Sequence, residues 1–494
     1  MRLSGSVGKG RRFDLHRYRD LSHGCDIRET SAHQLQMTSA LSQGLTSPPD
    51  VVLEGRFTAP DLRQYSLVPF LVDSGHRQIH VRYSYTERID SDPFLSGGNT
   101  LDIGLFDPRG TGTGSAGFRG WSGSDQLEFV VGEEWATPPY TPGPILAGTW
   151  NILLGPYKVS PRGCDWTVEI RFDPGIPSLQ RDLLRVGEPR SPTLPEARAG
   201  WLRGDLHCHT RYSDGDSWPG EMLHAGAEAG LDFLGVTDHN TVANLAEYGA
   251  GGRGRPIVIP GVEVTTYAGH WNAWGTDRWW EFRTPTASAV EQAMTDAADA
   301  GAFVSVNHPK PFGPAWEYDT IRSMHAVEVW NGPWARLNSI ALDFWESRLR
   351  LGQRLVAVGG SDTHILRSHD PDPRHAQTLG MPTTWVEAGP GPDASAIIDA
   401  MRAGRTFVSA GPAGPQLYID PKGSGVEVSV RGGGGTTLSV LGDKGAIGAA
   451  AVESEDWSTT VAVPRASTYV RAQLVAANGE LRALTSAMWW PPHA

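Results

Sequence analysis

The feature that most constrains the fold is an alternation of short apolar runs with helix-like segments between residues 201 and 412. Because a helix can return the chain to the start of the next parallel strand, this alternation predicts βα units, most simply arranged as a barrel or a distorted barrel. The predicted strands are Asp205–His207, Phe233–Thr237, Ile257–Val264, Ala302–Asn307, Ala326–Trp330 and Val356–Gly359. The predicted helices are Pro219–Ala229, Ala287–Ala300, Ala335–Leu351 and Ala394–Ala403.

The segments on either side of this alternation have the two-residue period of β-strands. Across residues 46–175, apolar and polar residues alternate in short runs that are bounded by Gly, Pro, Asp or Ser. The pattern predicts a β-sandwich or jelly-roll domain there, a proline-containing linker over 176–200, the βα domain over 201–412 and a small β domain over 413–494. Residues 1–45 have no such period, and we expect them to be disordered or irregular.

The composition limits the classes of partner. The chain has 43 Lys and Arg against 55 Asp and Glu, a formal net charge of −12. Because proteins that coat nucleic acid need a basic surface, this balance argues against that class while leaving room for a local anion site. No apolar run approaches the ~20 residues of a membrane helix, and no apolar stretch follows the basic start. We therefore expect a cytoplasmic protein without membrane association, with Met37 as an alternative start.

The predicted strands end in histidines and carboxylates. The first strand ends with His207-Cys208-His209, and the two-residue period places both imidazoles on one face of the strand, where they can reach one ion. The other predicted strands end in similar residues, and in barrels the carboxyl ends of the strands build the active site. The candidate metal ligands are His207, His209, Asp214, His239, Glu263, His270, His308, Asp362 and His364.

Each of these residues also has a structural interpretation. A single His at a strand end is more often hydrogen-bonded within the fold, Asp214 is compatible with a turn, and Glu263 with an exposed strand carboxylate. Taken together, however, six imidazoles and three carboxylates on one face would leave several buried groups unpaired without an ion, at roughly a few kcal/mol each. We therefore interpret the set as a metal centre.

The order and spacing of these residues resemble the polymerase-and-histidinol-phosphatase (PHP) superfamily of metallohydrolases. The resemblance covers residues 203–412. It depends on the motifs Asp205-Leu-His207-Cys-His209 with Tyr212-Ser-Asp214-Gly, Thr237-Asp238-His239, Asn307-His308-Pro and Ser361-Asp362-Thr-His364. The β-rich flanks, Gly269-His270-Trp-Asn-Ala-Trp-Gly and Gly404-Arg-Thr-Phe-Val-Ser look more like the carbaryl-hydrolase-type branch. What the resemblance implies for the fold class is α/β, with a distorted (β/α)7 TIM-like barrel between β-sandwich-like domains.

The resemblance also implies a cluster of two or three divalent metal ions. One ion would be held by His207, His209, Glu263 and Asp362. Glu263 would bridge to a second ion that is also held by His270 and His308. A third would be held by Asp214, His239 and His364, although many members of the family have His where this chain has Asp214. Mixed imidazole and carboxylate ligands suit Mn, Fe or Zn, and Cys208 should point to the opposite side of its strand as buried filler.

This arrangement predicts the chemistry. Ions bridged by Glu263 would lower the pKa of a shared water, so the expected nucleophile is a metal-bound hydroxide, and no Ser or Cys nucleophile is required. We expect Glu263, His308 and Asp238 to form the catalytic machinery, with Asp238 orienting a ligand His or, alternatively, shaping a turn. Lys310 and Arg211 are candidates for binding a substrate anion, the alternative being solvated loop charges.

Three functions of different classes follow. The first is a metal-dependent phosphoesterase that acts on a small-molecule phosphomonoester or phosphodiester. The second is a carbamate or carboxylic-ester hydrolase of the carbaryl-hydrolase type. The closer branch favours it, as do the tryptophans near predicted strand ends and loops, among them Trp271 and Trp274. The third is a binding module in which the β domains recognise a ligand and the barrel is idle. The complete ligand set argues against an idle barrel, and the oligomeric state is unknown.

Overall fold

The structure is a computed structural model, and it describes residues 47–92, 94–178, 189–190, 192–248, 256–311, 314–366 and 377–491. The expectation of disorder over residues 1–45 lies outside the described residues, as does part of the predicted linker. Strands are numerous in these residues and helices are few, so the fold is mixed α/β with a predominance of β-structure.

Eight strands near the N-terminus form two antiparallel sheets of four. They are β1 Val51–Phe57, β2 Ser66–Val72, β3 Gln78–Tyr85, β4 Thr100–Phe106, β5 Phe118–Gly123, β6 Glu128–Gly132, β7 Gly148–Lys158 and β8 Cys164–Phe172. The strand orders are β1-β8-β3-β6 and β2-β7-β4-β5. Alternate apolar residues of both sheets pack into one shared core, as expected for strands with one apolar face.

Strand β4 is buried on both of its faces. Leu101, Ile103 and Leu105 point into the core shared by the two sheets. Asp102 and Phe106 point the other way, and Phe106 belongs to the apolar cluster of the large sheet that follows in the chain. Since successive side chains of a strand alternate between faces, β4 joins the N-terminal sheets to the next layer of the molecule.

The described residues of the central part of the chain form nine strands and four α-helices. The strands are β9 Trp201–Cys208, β10 Phe233–Val236, β11 Ile257–Thr266, β12 Gly269–Trp274, β13 Phe303–Val306, β14 Ala326–Asn331, β15 Val356–Gly360, β16 Thr383–Glu387 and β17 Thr406–Ser409. The helices are α1 Pro219–Glu228, α2 Ala287–Asp299, α3 Asn338–Arg350 and α4 Ala394–Arg402. All six predicted strands and all four predicted helices are present, with bounds that differ by a few residues. Helix α3 begins later than predicted because Leu337 has a left-handed φ of 57°, which breaks the helix.

The order of these strands departs from strict βα alternation. The order is β15-β14-β13-β12-β11-β10-β9-β16-β17, in which β9, β10 and β11 are parallel, as are β13, β14 and β15. Strand β12 is antiparallel to both of its neighbours because β11 turns into it directly, at a Gly269 whose φ of +125° disfavours other residues. A barrel of seven βα units is therefore not shown by the described residues.

The C-terminal strands continue the same sheet. They are β18 Gln416–Lys422, β19 Gly425–Arg431, β20 Thr437–Gly442, β21 Gly445–Ala451, β22 Asp456–Ala462, β23 Tyr469–Val475, β24 Leu481–Thr485 and β25 Met488–Trp489. Strand β17 pairs with β24, and the sheet runs on through β23, β20 and β21. Strands β18, β19 and β22 form a separate sheet of three. Among the described residues, none of the helices has the length and apolar character needed to cross a membrane.

Candidate metal centre

The end of β9 presents two imidazoles side by side. His207 and His209 lie on one face of the strand, with ring centroids 5.1 Å apart, and both side chains are fully buried. Asp205 fixes the strand end, because its Oδ1 accepts hydrogen bonds from the backbone N–H groups of His207 and Ser361, both at 3.0 Å. The backbone N–H of Asp362 in turn donates to the carbonyl of His207 at 2.8 Å. The ends of β9 and β15 are therefore held together.

Glu263 lies at the middle of the nine predicted ligands, and its two oxygens face different imidazoles. Its Oε1 is 3.3 Å from a ring nitrogen of each of three residues, which are His207, His270 and His308. Its Oε2 is 2.9 Å from Nδ1 of His239 and 3.5 Å from Nε2 of His209. A carboxylate placed between two sets of imidazoles is suited to bridging two cations.

Two further carboxylates complete the set. Asp362 Oδ1 lies 3.2 Å from Nε2 of His207 and 3.0 Å from Nε2 of His209. Asp214 lies 3.5 Å from Nε2 of His239 and 3.3 Å from Nε2 of His364. All nine predicted ligands are thus brought together. The four groups whose ligand atoms lie within 4.8 Å of one another are His209–Asp214–His239–His364, His207–His209–Glu263, His207–His308–Asp362 and His239–Glu263–His270.

Several of these atoms are buried without a hydrogen bond. They include His207 Nε2, Asp214 Oδ1, Glu263 Oε2 and His270 Nδ1. Buried polar atoms in native proteins are nearly always hydrogen-bonded, and buried ligand atoms grouped within 4.8 Å of one another form an arrangement that cations satisfy. The donor set of imidazole nitrogens and carboxylate oxygens fits divalent Mn, Fe or Zn. The residues of the site therefore fit the expected metal ions.

The electrostatics favour the metal-binding protonation states of Glu263 and His209. Burial lowers the pKa of His207, His239 and His364, but the neighbouring carboxylates outweigh burial and raise it. Burial alone would raise the pKa of the Glu263 carboxyl, but the imidazoles of His207, His270 and His239 outweigh it and hold that pKa well below its ordinary value. Burial, together with the neighbouring His364 and His239, lowers the pKa of His209 to about 3. An ionised carboxylate and a neutral imidazole are the forms that bind a cation.

Two of the ligands have unusual backbone conformations. Asp362 has a φ of 54° and His308 a φ of 27°, in the left-handed region that residues other than glycine rarely adopt. Each such residue costs about 1–3 kcal/mol and persists only where the surrounding structure enforces it. Asp362 lies in the turn after β15 and His308 in the turn after β13. In both turns the backbone conformation directs the side chain towards the other candidate ligands.

Glu328 on β14 is a residue of the centre that the sequence did not reveal. Its Oε1 accepts a hydrogen bond from Nδ1 of His207 at 3.0 Å, which leaves Nε2 of that ring to face the centre. Its Oε2 accepts from the backbone N–H of His308 and from Nδ2 of Asn331, both at 3.1 Å. One buried carboxylate therefore orients two ligands. The sequence around it, Val327-Glu328-Val329-Trp330, shows only the alternation of apolar and polar residues that is typical of a strand with one polar face.

The two candidate anion-binding residues are held by the protein itself. Lys310 is 2% exposed, and its Nζ donates to the carbonyl of Asn331 at 2.9 Å and to Oδ1 of Asn338 at 2.8 Å. Burial lowers the pKa of Lys310 to about 7. Arg211 Nε donates to the carbonyl of Asp216 at 2.8 Å. Lys310 is therefore not a solvated loop charge, and for both residues a role in substrate binding stays a prediction.

Asp238 organises the loop that follows β9. Its Oδ1 accepts from the backbone N–H of Thr210 and from the Ser213 hydroxyl, both at 2.7 Å, and its Oδ2 accepts from Nδ2 of Asn244 at 2.6 Å. The Ser213 hydroxyl lies 3.5 Å from Nδ1 of His209, so Asp238 reaches an imidazole through Ser213. The predicted orienting role and the predicted turn role are both compatible with these contacts.

Cys208 and the tryptophans near the site have packing roles. The Cys208 thiol belongs to the apolar cluster that includes Met222 and Leu223, on the side of β9 away from the imidazoles. Burial raises the pKa of this thiol well above its ordinary value, which disfavours a thiolate ligand. Trp271 and Trp274 are at most 1% exposed and fill apolar cores. The described residues thus assign these two indoles to packing between layers.

The comparisons with known proteins agree with this site. The PHP domain family matches residues 205–297. A 5'-3' exoribonuclease of Haemophilus influenzae is 38% identical over 63 residues, which are 13% of this chain and 23% of that protein. The 5'-3' exoribonuclease Rnm of Escherichia coli is 39% identical over 66 residues, which are 13% of this chain and 22% of that protein. The chain therefore spans less than a quarter of the length of either relative.

A solved structure also shows a distant likeness, the β-glucosidase DesR from Streptomyces venezuelae in complex with D-glucose. The alignment covers 88% of this chain and 50% of that one, with 10% identity and a TM-score of 0.15, which is too low to indicate a shared fold. The carbaryl-hydrolase-type branch stays a prediction. Six of the nine candidate ligands lie inside the segment that the family model matches, between His207 and His270. The chain therefore contains a PHP domain, to which residues 205–297 belong.

Proposed function

We propose that the protein is a metal-dependent phosphoesterase that hydrolyses phosphomonoesters or phosphodiesters. The observation that carries the proposal is the position of Glu263, whose two oxygens face two different sets of imidazoles. The PHP domain and the activity for which the two relatives are named, 5'-3' exoribonuclease, support a phosphoester substrate.

The residues divide into positions for two or three divalent ions. His207, His209, Asp362 and Glu263 would hold one ion, Glu263 with His270 and His308 a second, and Asp214 with His239 and His364 a third. Bound divalent ions lower the pKa of water and withdraw charge from a phosphoryl oxygen. The metals expected from these ligands are Mn, Fe or Zn.

The protein's own contribution is to fix the ligands before substrate arrives. Glu328 accepts the Nδ1 hydrogen of His207 and the backbone hydrogen of His308, which holds both side chains in place. Asp238 ties the loop after β9 to the turn after β10. Preorganised ligands of this kind spare the reaction the reorganisation that a mobile site would need.

We infer that the parallel strands follow a distorted (β/α)7 barrel. The bridge between Cys208 and Thr363 supports this inference, because it links the end of β9 to the residues after β15 at the far side of the strand order. Among the described residues, no contact specifically favours the carbamate or carboxylic-ester alternative, or an idle binding module.

A substrate panel tests the proposal. The purified chain would be assayed with 4-nitrophenyl phosphate, bis(4-nitrophenyl) phosphate and 1-naphthyl carbamate, each with and without added Mn. We expect Mn-dependent release of nitrophenol and little hydrolysis of the carbamate. The control is the His207→Ala, His209→Ala double variant, which removes two ligands of one ion. Hydrolysis of the carbamate alone would contradict the phosphoesterase proposal, as would activity that the double variant retains.

A further inference from the structure

Asn307 donates a hydrogen bond to the carboxylate at the middle of the metal centre. Its side chain is 1% exposed, and its Nδ2 lies 2.8 Å from Oε1 of Glu263. The opposite orientation of the amide would bring two acceptor oxygens into contact, so Nδ2 is the end that faces Glu263. Because an amide N–H has no lone pair to offer a cation, Asn307 contacts the central carboxylate through a group that does not bind metal.

The sheet brings this amide to Glu263 across an intervening strand. Strand β12 lies between β11, which holds Glu263, and β13, which Asn307 follows directly. Glu263 and Ser305 both pair with Asn272 of β12, so these three residues form one row across the sheet. Asn307 lies two residues beyond Ser305, and its backbone N–H donates to the carbonyl of His270 at 3.0 Å. The pairing of β13 with β12 therefore places the amide on the face of the sheet that carries Glu263.

Stability alone does not explain an asparagine at this position. Within the described residues, Oδ1 of Asn307 is buried without a hydrogen bond, so the contact with Glu263 is what orients the amide. An unpaired buried acceptor costs about 1–3 kcal/mol, and an apolar side chain of similar size avoids that cost. Asn272, the direct cross-strand partner of Glu263, makes no side-chain hydrogen bond in the described part of the chain. The more distant amide is therefore the one that contacts the carboxylate.

The hydrogen bond from Asn307 is compatible with bound metal, unlike the contacts from the imidazoles. The same Oε1 of Glu263 lies 3.3 Å from one ring nitrogen of each of His207, His270 and His308. A ring nitrogen that gives its lone pair to a cation cannot also donate to Glu263. The amide N–H of Asn307 can still donate, and a carboxylate oxygen that accepts one hydrogen bond keeps a second lone pair for an ion. The contact with Asn307 is therefore the one that metal binding leaves in place.

We propose that Asn307 is a positioning residue that fixes the rotation of the Glu263 carboxylate, so that its two oxygens face two different sets of ligands. This inference rests on the proposed function, in which Glu263 bridges two ions. A carboxylate that rotates freely about its last bond can turn both oxygens to one side and chelate one ion. Asn307 opposes that rotation because it keeps Oε1 on the side of His270 and His308.

Magnetic coupling between bound Mn(II) ions tests this role. Ions bridged by one carboxylate are exchange-coupled, whereas separate ions give the hyperfine pattern of isolated Mn(II) in an EPR spectrum. The parent loaded with Mn(II) should give a coupled spectrum. Asn307→Leu removes the donor at similar volume and should give the pattern of isolated ions, even at saturating Mn(II). Its affinity for Mn(II) and its kcat on bis(4-nitrophenyl) phosphate should each fall by about 10–100-fold, as for other residues that orient metal ligands.

A second variant and a matched control separate orientation from packing. Asn307→Ala also removes the donor and should give the same spectrum of isolated ions. The control is Gln416→Leu, because Gln416 is an amide 2% exposed whose Nε2 donates to the carbonyl of Glu196 at 3.0 Å, outside the centre. It should leave the Mn(II) spectrum, the affinity and kcat unchanged. The Tm of metal-free Asn307→Leu should equal or exceed that of the metal-free parent, since the unpaired acceptor is removed.

The outcomes separate the two proposals. A coupled spectrum in the Asn307 variants, an uncoupled spectrum in a parent that hydrolyses phosphate esters, or loss of coupling in Gln416→Leu as well would each overturn the role of Asn307 and leave the phosphoesterase proposal intact. The same holds if neither Asn307 variant folds, because the residue then serves stability. If the parent hydrolyses no phosphate ester with added Mn, the proposed function fails, and the role of Asn307 fails with it.

Discussion

At the scale of single residues, the metal centre depends most on Glu263, since both of its oxygens face imidazoles. It is fully buried, and its carboxylate is kept ionised by the histidines around it. An amide in its place would offer one neutral acceptor and a pair of donors. The donors would point at nitrogen lone pairs or at a cation, and neither contact is favourable.

Glu263→Gln should therefore lower phosphoesterase kcat by more than about 100-fold and release at least one metal ion per chain, with little change in secondary structure. Activity assays, elemental analysis and circular dichroism measure the three quantities. Glu317→Gln is the control, because it removes a carboxylate that is half exposed and paired with Arg63 outside the centre. Activity within tenfold of the parent would show that Glu263 does not bridge the ions.

Glu328→Gln should weaken metal binding by about 10–100-fold, because carboxylates that orient ligand histidines have effects of that size. Glutamine can still accept from His207, but its amide cannot accept from both His308 and Asn331 in the way the second oxygen does. Titration with a metal chelator measures the change. Asp319→Asn, at a side chain 93% exposed, serves as the control. Unchanged affinity would mean that packing alone positions the two ligands.

The nine candidate ligands that the structure brings together could be predicted from the sequence, as could Asp238, whereas Glu328 could not. Histidines and carboxylates at the ends of successive predicted strands indicate a metal site, and this pattern is visible in a single sequence. The sequence carries no such signal for Glu328 or for the burial of Lys310, because an isolated charged residue in a strand or loop is ordinarily exposed. Their burial depends on contacts between β13, β14 and α3 that spacing in the sequence does not reveal.

At the scale of elements, the closeness of β9 and β15 sets the geometry of the centre. Gly360, the last residue of β15, lies so close to β9 that an added Cβ would be 2.4 Å from Cβ of His207. Backbone hydrogen bonds from the residues after β15 to β9 require this approach. The six predicted strands and four predicted helices followed from periodicity, but β12 and the direct turn into it from β11 did not, since the predicted strand ended at Val264.

Gly360→Ala should consequently push the two strands apart, lower the free energy of unfolding by about 1–3 kcal/mol and reduce bound metal. Chemical denaturation and elemental analysis measure both effects. Gly220→Ala in α1 is the matched control, because nothing lies within 4 Å of its added Cβ, and it should stabilise the helix by about 0.5–1 kcal/mol. Equal stability of the two variants would contradict the close approach of the strands.

At the scale of the whole molecule, the N-terminal sheets and the central layer are joined by buried polar contacts. Asp102 on β4 accepts a hydrogen bond from Tyr267, which lies in the turn between β11 and β12. Burial raises the pKa of Asp102 to about 7, above its ordinary value. Composition and periodicity predicted β-sheets in this region, but which side chains cross between layers depends on how the sheets are docked.

The raised pKa of Asp102 makes the free energy of unfolding depend on pH. Asp102 binds its proton more tightly in the folded than in the unfolded protein, so its contribution to stability is full below about pH 4 and is lost as the pH rises to about 7. Asp102→Asn keeps an uncharged side chain at every pH. Its free energy of unfolding, relative to the parent, should therefore rise by a few kcal/mol between pH 4.5 and pH 7.5. Denaturation curves that stay parallel across this range would contradict the prediction.

The continuous sheet has a consequence for protein engineering. Strand β17 hydrogen-bonds to β24, so a fragment ending at residue 412 would expose the backbone donors and acceptors of Phe407, Val408 and Ser409 along a bare edge. Such edges pair with other chains, and the fragment should precipitate or form oligomers on expression. A fragment must extend through β24 to keep this edge covered, and it must retain the N-terminal sheets, because Phe106, Trp121 and Leu153 pack into the core of the central layer.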